Sequence, residues 1–240
     1  MPTQSLVIPT GQHALQGVLS LPESPRGLVL FIHGSGSDHR SPRNRAVAAA
    51  LETAGLASLL FDLRSQAEQL QDPTQSLPPL PMPLLIERVF RCLDWLWQQP
   101  SVGGLFPVGL FGSSTGAALA LQAAASRPWQ IGAVVCRGGR IDLAGAALDH
   151  VLAPTLLIVG SRDPALLALN RQARARLRCP NWLEVVEGGD HLFTAAGSLQ
   201  QVARLSCDWF GQWLRAGVQP PAARGSAGRD SAPKGRIMCR

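Results

Sequence analysis

Short apolar segments alternate with amphipathic or alanine-rich segments through most of this 240-residue chain. Several of the apolar segments are continuous runs of Val, Leu, Ile and Phe, a pattern typical of strands buried on both faces of a parallel sheet. The first two segments instead predict an antiparallel pair at the start of the sheet. The eight predicted strands are residues 5–8, 14–21, 27–32, 57–61, 108–111, 132–136, 155–159 and 182–186.

Helical segments separate most of these strands and carry apolar residues at helical spacing. Before the first of them, Ser41 and Pro42 supply an N-cap and a first-turn proline, and Gly55 ends the helix. Strands that alternate with helices in this way predict an α/β fold, with a mostly parallel central sheet covered by helices on both faces. The predicted helices are residues 43–54, 84–98, 115–126, 164–177 and 199–214, with a brief helical segment before Pro154.

Length and composition predict one such domain, because 240 residues with 46% hydrophobic side chains suit a single α/β core. We assign residues 1–216 to this domain. Residues 62–83 turn polar and then proline-rich, so they predict a long connection between two elements. Residues 217–240 are rich in Pro, Ala, Gly, Ser and Arg, and they predict a disordered tail.

The formal net charge of +6 would suit a nucleic-acid partner, but the charge is unevenly distributed. The only lysine, Lys234, lies in the predicted tail together with four arginines, so the domain itself is closer to neutral. No basic helix or aromatic stacking surface stands out, and we therefore expect no nucleic-acid partner. No apolar run reaches the roughly 18 residues of a membrane span, so we expect no membrane partner either.

The five cysteines are widely spaced and include no C-x-x-C pair, which indicates neither a disulfide framework nor a zinc site. The N-terminus lacks a basic start followed by a long apolar run. These features are typical of a cytoplasmic protein in a reducing compartment. We expect no metal and no organic cofactor.

The segment Gly112-Ser-Ser114-Thr-Gly116 joins a predicted buried strand to an alanine-rich helix. A chain that turns so sharply from strand to helix holds the central residue in a strained conformation and exposes its side chain above the sheet. Ser114, with glycine two positions away on each side, is therefore the candidate nucleophile in preference to Ser113. The N–H of Thr115 at the start of the helix can donate to a developing oxyanion.

A serine nucleophile needs a base, and the base needs a carboxylate that orients it. In a parallel-sheet hydrolase these partners follow in the order serine, acid, histidine, each in a loop after a strand. Asp163 and His191 occur at the required places, after the strands that end at residues 159 and 186. Asp190 and Asp62 remain alternative acids, whereas His33 at a strand end is more typical of a structural residue and His39 of a solvated one.

These motifs, with Leu-Phe-Ile-His33-Gly-Ser-Gly-Ser and Gly189-Asp-His191-Leu-Phe, make the chain resemble the α/β-hydrolase superfamily, and within it the dienelactone-hydrolase-like group. The resemblance covers residues 5 to 215. It implies Ser114 as nucleophile, His191 as general base and acid, Asp163 as the orienting acid, and an oxyanion hole formed by the N–H groups of Ser35 and Thr115. Dienelactone hydrolases proper carry cysteine where this chain has Ser114. The connection from residue 136 to 154 is too short for the helical cap of many relatives, so we expect no inserted cap domain.

The function favoured by this combination is hydrolysis of carboxylic esters of small molecules, with short acyl chains, through an acyl-enzyme on Ser114. Thioester hydrolysis and acyl transfer to an acceptor other than water use the same triad and remain open. A binding protein that keeps the fold without the chemistry is the rival from another class.

Several arginines follow predicted strands at the sheet edge that carries the nucleophile. Guanidinium groups there could bind an anionic substrate, because they pair bidentately with carboxylate or phosphate. The alternative is internal pairing with Asp62, Asp142, Glu184 or Glu187. The candidate substrate contacts are Arg43, Arg45, Arg64, Arg137 and Arg140, with Arg162 nearby in the same set of loops.

Overall fold

An eight-stranded sheet forms the centre of the computed structural model, which describes residues 3–11, 13–72, 80–102 and 107–214. The strands are β1 Thr3–Thr10, β2 His13–Ser20, β3 Leu28–Ile32, β4 Ala57–Phe61, β5 Val108–Ser113, β6 Ile131–Arg137, β7 Thr155–Gly160 and β8 Asn181–Val186. Their spatial order is β1-β2-β4-β3-β5-β6-β7-β8. β2 pairs antiparallel with β1 and β4, and the remaining pairs are parallel. The predicted mostly parallel sheet of about eight strands is thus confirmed.

Helices cover both faces of the sheet and enclose two apolar cores. The helices are α1 Pro42–Thr53, α2 Gln66–Gln71, α3 Met82–Gln98, α4 Thr115–Ser126, α5 Pro164–Arg174 and α6 Ser198–Trp213, with a 3₁₀ segment at Ile141–His150. Helices α1 and α6 pack on one face, over Phe31 and Phe111. Helices α3 and α4 pack on the other, where the 3₁₀ segment lies against α4. Because strands β3 to β7 lie between these layers, every residue of β3, β4, β5 and β7 is buried.

The order of the strands reverses at β3, which lies between β4 and β5. In open α/β sheets a crevice forms beyond the carboxyl ends of the strands at such a point, because the following loops diverge to opposite sides. The loop after β3 and the turn after β5 both reach this crevice. The chain continues from β5 through β8 in one direction, so the loops after β7 and β8 lie along the same edge.

Several element boundaries differ from the sequence prediction by one to three residues, among them the start of α3 and the end of β6, and one element was not predicted. α3 begins at Met82 rather than residue 84, because Pro83 falls in the first turn, where a missing N–H costs no hydrogen bond. Arg137, predicted in a loop, is the last residue of β6 and pairs with Ser113. The connection after β4 contains the short helix α2, which was not predicted.

A capping box explains why α2 forms in a segment of so few apolar residues. The Ser65 hydroxyl accepts from the Glu68 N–H, and the Glu68 carboxylate accepts from the Ser65 N–H. Arg88 of α3, itself buried, donates to both Glu68 carboxylate oxygens and to the Leu63 carbonyl. The pattern Ser65-Gln-Ala-Glu68 was the sequence signal for this helix.

The Glu68–Arg88 pair predicts a defined acid sensitivity. Partial burial raises the pKa of Glu68, but hydrogen bonds from Arg88 and Ser65 outweigh it and lower the pKa to about 2. A folded-state pKa below the ordinary 4.5 contributes stability that is complete above that pH and is lost as the pH falls towards 2. We expect Glu68→Gln to be less stable than wild type at pH 7 in urea unfolding, and the difference to shrink steadily between pH 4.5 and 2.

Glu87→Gln is the matched control, because Glu87 pairs with Arg91 on the exposed surface of α3. Its stability difference from wild type should be small throughout that pH range. A Glu68→Gln difference that stays constant down to pH 2 would show that the charge of Glu68 does not stabilise the fold.

The remaining sequence predictions about the fold concern connections and ends. The connection between β6 and β7 holds only the 3₁₀ segment, which packs on α4, and therefore no cap domain. The predicted tail, 217–240, and residues 73–79 of the long connection lie outside the described residues. No helix in the described part of the chain is long and apolar enough to cross a membrane.

Candidate active site

Ser114 occupies the turn between β5 and α4 in a backbone conformation that few residues other than glycine adopt. Its φ is 51° and its ψ is −123°, with the last strand residue, Ser113, on one side and the first helical residue, Thr115, on the other. The Ser114 N–H donates to the Arg137 carbonyl at 3.1 Å, and the Ser114 carbonyl accepts from the Arg140 N–H at 3.0 Å. These bonds to the end of β6 and to the residue before the 3₁₀ segment hold the strained turn in place.

Glycines on both sides of Ser114 allow this turn, because any side chain there would meet backbone. A Cβ at Gly116 would lie 2.2 Å from the Ile32 carbonyl oxygen, and one at Gly112 would lie 2.5 Å from Ala117 Cα. Both distances are far below van der Waals contact. The loop after β3 is equally close, since a Cβ at Gly34 would lie 2.8 Å from the Ser114 Cβ. Helix α4, strand β3 and the β3–α1 loop therefore converge on Ser114.

Asp163 and His191 form a hydrogen-bonded pair at the same sheet edge. His191 Nδ1 and Asp163 Oδ2 are 3.0 Å apart, and because a carboxylate only accepts, Nδ1 carries the proton and Nε2 is left as the basic atom. Asp163 is also the N-cap of α5, where its Oδ1 accepts from the Leu166 N–H. The cap fixes the carboxylate that orients the imidazole. The His191 side chain is 42% exposed.

The loops that carry Asp163 and His191 are in direct backbone contact. A Cβ at Gly160 would lie 2.2 Å from the Gly189 carbonyl oxygen and 2.8 Å from the Asp190 carbonyl oxygen. The Arg162 N–H donates to that Gly189 carbonyl at 2.9 Å. Ser161 adds a second tie, because its hydroxyl accepts from the Gly188 N–H at 2.8 Å. Close approach at Gly160 therefore sets the distance between acid and histidine.

Among the described residues no hydrogen bond joins Ser114 Oγ to His191. In structures without substrate such contacts are often long, and they tighten when substrate binds. The His191 loop lies beside the residue that follows β6, since a Cβ at Gly138 would be 3.0 Å from the His191 carbonyl oxygen. Phe193, buried and with φ 59°, anchors the same loop in the core under α6.

The two predicted oxyanion-hole residues are in contact with each other. The Ser35 N–H donates to the Thr115 hydroxyl at 3.0 Å, and the two hydroxyl oxygens are 3.3 Å apart. The Thr115 N–H belongs to the first residue of α4 and so has no partner within the helix. The Thr115 N–H is therefore free to bind an oxyanion, whereas the Ser35 N–H is bonded to the Thr115 hydroxyl.

The alternative acids have other partners. Asp190 accepts from the N–H and hydroxyl of Thr194, and the hydrogen bonds of the Thr194 side chain and backbone lower the Asp190 pKa. Asp62 is buried and accepts from the His39 ring and backbone N–H, at 2.8 and 2.7 Å. The expectation that His39 is solvated is therefore wrong, since Asp62 pairs with His39 instead of His191.

His33 links the ends of two neighbouring strands. Its Nε2 accepts from the Leu63 N–H at 2.9 Å, so Nδ1 carries the proton and donates to the Gly34 carbonyl at 2.8 Å. Burial lowers the pKa of His33 and favours its neutral form. This side chain fixes the β3–α1 loop beside Ser114.

A pocket of about 410 Å³ opens beside Ser35 and Thr115. It extends from the β3–α1 loop, residues 33–38, towards α2 and the start of α3. Its described walls include apolar side chains, Leu63, Leu70, Leu80 and Leu85, and charged ones, Asp38, Arg40, Arg64 and Asp72. No group of three or more His, Cys, Asp or Glu side chains in the described part of the chain is arranged to hold a metal ion.

The six arginines at this edge divide into three kinds. Arg64 pairs with Asp72 at 3.1 Å, and Arg140 pairs with Asp142 at 2.8 Å, so two of the proposed substrate contacts have partners within the chain. Arg45 and Arg162 are exposed. Arg43 and Arg137 have buried guanidinium nitrogens without a hydrogen-bond partner. Only Arg64 of the six lines the pocket.

Sequence reasoning missed several residues that position the site. Three loops meet at Gly34, Gly160 and Ser161. The hydrogen bond between His39 and Asp62 fixes the base of the β3–α1 loop. The sequence gives only a weak signal for the glycines and serine, because Gly and Ser after a strand usually indicate only a turn. The contact between two separate loops is visible only after the strands are placed in order.

Comparison with known proteins places the chain among related sequences and structures. Residues 25–207 match the family model described as "Alpha/beta hydrolase domain". The solved structure of a dienelactone hydrolase from Anabaena variabilis is 44% identical in sequence, with a TM-score of 0.86 over 89% of this chain and 99% of that chain. Est1E from Butyrivibrio proteoclasticus has a TM-score of 0.69 over 87% of this chain and 98% of that chain, and at 15% identity it shares the fold.

Two curated relatives come from Mycobacterium tuberculosis, strains CDC 1551 / Oshkosh and H37Rv. Each is 47% identical over 207 residues and carries the name "Putative phosphoribosyl transferase". The match covers 86% of this chain and 46% of each relative, so the chain spans just under half the length of these proteins.

Proposed function

This chain belongs to the α/β-hydrolase family, in its dienelactone-hydrolase-like group, and we propose that it is a serine hydrolase of short-chain carboxylic esters. The observation that carries the proposal is the strained Ser114 at the strand-to-helix turn, on the same sheet edge as the hydrogen-bonded Asp163–His191 pair. Such a costly backbone conformation persists only where the surrounding structure holds it, and a strand-to-helix turn of this kind directs the serine side chain above the sheet edge.

Acylation follows from the roles that these positions allow. Ser114 Oγ attacks the ester carbonyl carbon, and His191 Nε2 takes the hydroxyl proton. Asp163 stabilises the resulting imidazolium through Nδ1. When the tetrahedral intermediate collapses, the C–O bond to the alcohol breaks and His191 returns the proton to the leaving oxygen. Water then repeats the sequence on the acyl-enzyme, and the acid leaves with Ser114 restored.

The oxyanion of the intermediate would be held by the N–H groups of Thr115 and Ser35. The first belongs to the free N-terminus of α4, whose dipole favours a negative charge there. The second donates to the Thr115 hydroxyl in the absence of substrate. A charged oxygen is a stronger acceptor than a neutral hydroxyl, so the Ser35 N–H exchanges that partner for the oxyanion as negative charge develops.

Covalent labelling tests this proposal most directly. A fluorophosphonate should modify the wild-type protein, and peptide mass mapping should locate the label on Ser114. Ser113→Ala should be labelled like wild type, because Ser113 lies in the strand and is buried. Absence of labelling in the wild type, or unchanged labelling of Ser114→Ala, would refute a serine hydrolase.

Thioester hydrolysis and acyl transfer share the acyl-enzyme and differ only in the leaving group or the acceptor. Matched oxygen and sulfur esters, with and without an added alcohol or amine, separate these activities. The name of the M. tuberculosis relatives describes proteins about twice as long as the matched segment, and we do not extend that activity to this chain. A non-catalytic binding protein would give neither labelling nor turnover.

The pocket predicts a preference for short acyl groups. Among the described residues four leucines form its apolar wall beside charged side chains, so this wall offers little surface to bury a long chain at about 0.8 kcal/mol per methylene. We expect kcat/KM for p-nitrophenyl acetate and butyrate to equal or exceed that for the decanoate. A steep rise towards decanoate would instead indicate an apolar lid formed with residues 77–84, of which 77–79 lie outside the described residues.

A further inference from the structure

The described part of the chain contains two buried arginines with opposite environments. Arg88 is 3% exposed, and its guanidinium donates to the Glu68 carboxylate and to the Leu63 carbonyl. Arg137 is 6% exposed, and its Nε and Nη1 have no hydrogen-bond partner. Burial lowers the pKa of Arg137 to about 10, which still leaves it charged at neutral pH.

A second guanidinium lies close to the first. Arg43, the second residue of α1, has a buried Nε that also lacks a partner, and its positive charge further lowers the pKa of Arg137. Arg137 ends β6, where Ala133 and Val135 belong to the core under α1 and α6. Because side chains alternate along a strand, Arg137 is on that same face, beneath the start of α1.

The described part of the chain offers these two arginines no free carboxylate. Of the 16 acidic residues, Asp230 lies outside the described residues. Glu23 lies in the loop before β3, at the opposite edge of the sheet. Each of the others has a hydrogen bond or ion pair with another group, for example Asp142 with Arg140 and Asp163 with His191.

A buried guanidinium without a partner is costly, and a neighbouring positive charge adds to the cost. We infer that Arg43 and Arg137 form a binding site for a small oxyanion, in which a phosphate or carboxylate group of a ligand pairs with both guanidinium groups. The start of the 12-residue helix α1 contributes its dipole to the same position. Neither arginine lines the pocket beside Ser35 and Thr115. The Arg137 carbonyl accepts from the Ser114 N–H, so the site adjoins the turn that carries the candidate nucleophile.

Phosphate suits the site better than a single carboxylate. Two adjacent guanidinium groups provide two positive charges and several N–H donors in fixed planes, which match a dianion with three or four acceptor oxygens. Because the Nε and Nη1 atoms are buried, we expect only a compact group to reach them. Access is through the part of Arg43 that remains partly exposed.

Inorganic phosphate added to the full-length chain is the direct probe. We expect a saturable rise in Tm of about 5–10 °C at a 100-fold excess over Kd, compared with sodium chloride of equal ionic strength at pH 7. Titration calorimetry should give one site per chain. Sodium acetate, tested in the same way, distinguishes a carboxylate site from a phosphate site.

Arg43→Gln and Arg137→Gln should each weaken phosphate binding at least about tenfold, and Arg43→Gln keeps the test valid if the buried variant does not fold. Arg204→Gln is the control, because Arg204 is exposed on α6, and it should keep the full Tm rise. A saturable effect of acetate that Arg43→Gln removes would support the site with a carboxylate ligand. No rise above chloride with either anion, or an equal rise in Arg43→Gln and wild type, would overturn the inference.

Discussion

Ser114→Ala and His191→Ala are each expected to lower kcat for a short-chain ester about 10⁴- to 10⁶-fold. The first removes the attacking oxygen and the second removes the group that accepts its proton, so either loss stops the same step. The double variant should therefore be little worse than either single variant. Asp163→Asn should keep more activity, because the imidazole remains in place and loses only the carboxylate that orients it. Steady-state kinetics with p-nitrophenyl butyrate measures kcat for the three single variants and the double variant.

His150→Ala is the matched control for these substitutions, because His150 is exposed at the end of the 3₁₀ segment, away from the crevice. Its kcat should stay within about twofold of wild type. If the fold-loss of kcat in the Ser114 and His191 double variant equals the product of the two single losses, the two side chains act in separate steps. That result would contradict the proposed mechanism.

Gly160→Ala should impair the site without touching any reacting group. A new Cβ would lie 2.2 Å from the Gly189 carbonyl oxygen, so the loop after β8 must move by more than 1 Å. That movement separates Asp163 from His191, which are now 3.0 Å apart. A displacement of this size is expected to lower kcat about 10²-fold, with a loss of about 1–3 kcal/mol of unfolding free energy.

Gly211→Ala controls for the loss of glycine. Gly211 lies inside α6, where an added Cβ meets no described atom within 4 Å, so alanine should be neutral or stabilising by about 0.5–1 kcal/mol. Urea unfolding and ester kinetics measured on both variants separate stability from activity. Wild-type kcat in Gly160→Ala would mean that the two loops do not set the geometry of acid and histidine.

The sheet and the turn at Ser114 were predictable because their determinants are local. Continuous apolar runs such as 155–159 indicate buried parallel strands, and Gly112 and Gly116 around Ser114 indicate a turn that no larger residue allows. The position of Asp163 after β7 followed from the order of strands. The first two of these inferences need only a few adjacent residues, and the third needs only the sequence of strands along the chain.

Other features depend on residues far apart in sequence. α2 has a local capping box, but its Glu68 also pairs with Arg88, 20 residues further along the chain, and no window of helical periodicity includes that partner. His39 seemed free in a polar loop, and its partner Asp62 comes from the end of the next strand. Burial of Arg137 follows from the position of α1 over the end of β6, so its lack of a partner is a property of the assembled layers.

The strand order has a consequence for when activity can appear. The nucleophile belongs to β5, and its partners follow β7 and β8, the last two strands of the sheet. Each strand pair from β5 to β8 joins consecutive strands in parallel across an intervening helical segment, and parallel pairs form slowly. A refolding chain can therefore have its helices and its central strands in place while Ser114 is still unreactive. Reactivity of Ser114 marks the docking of the final strand.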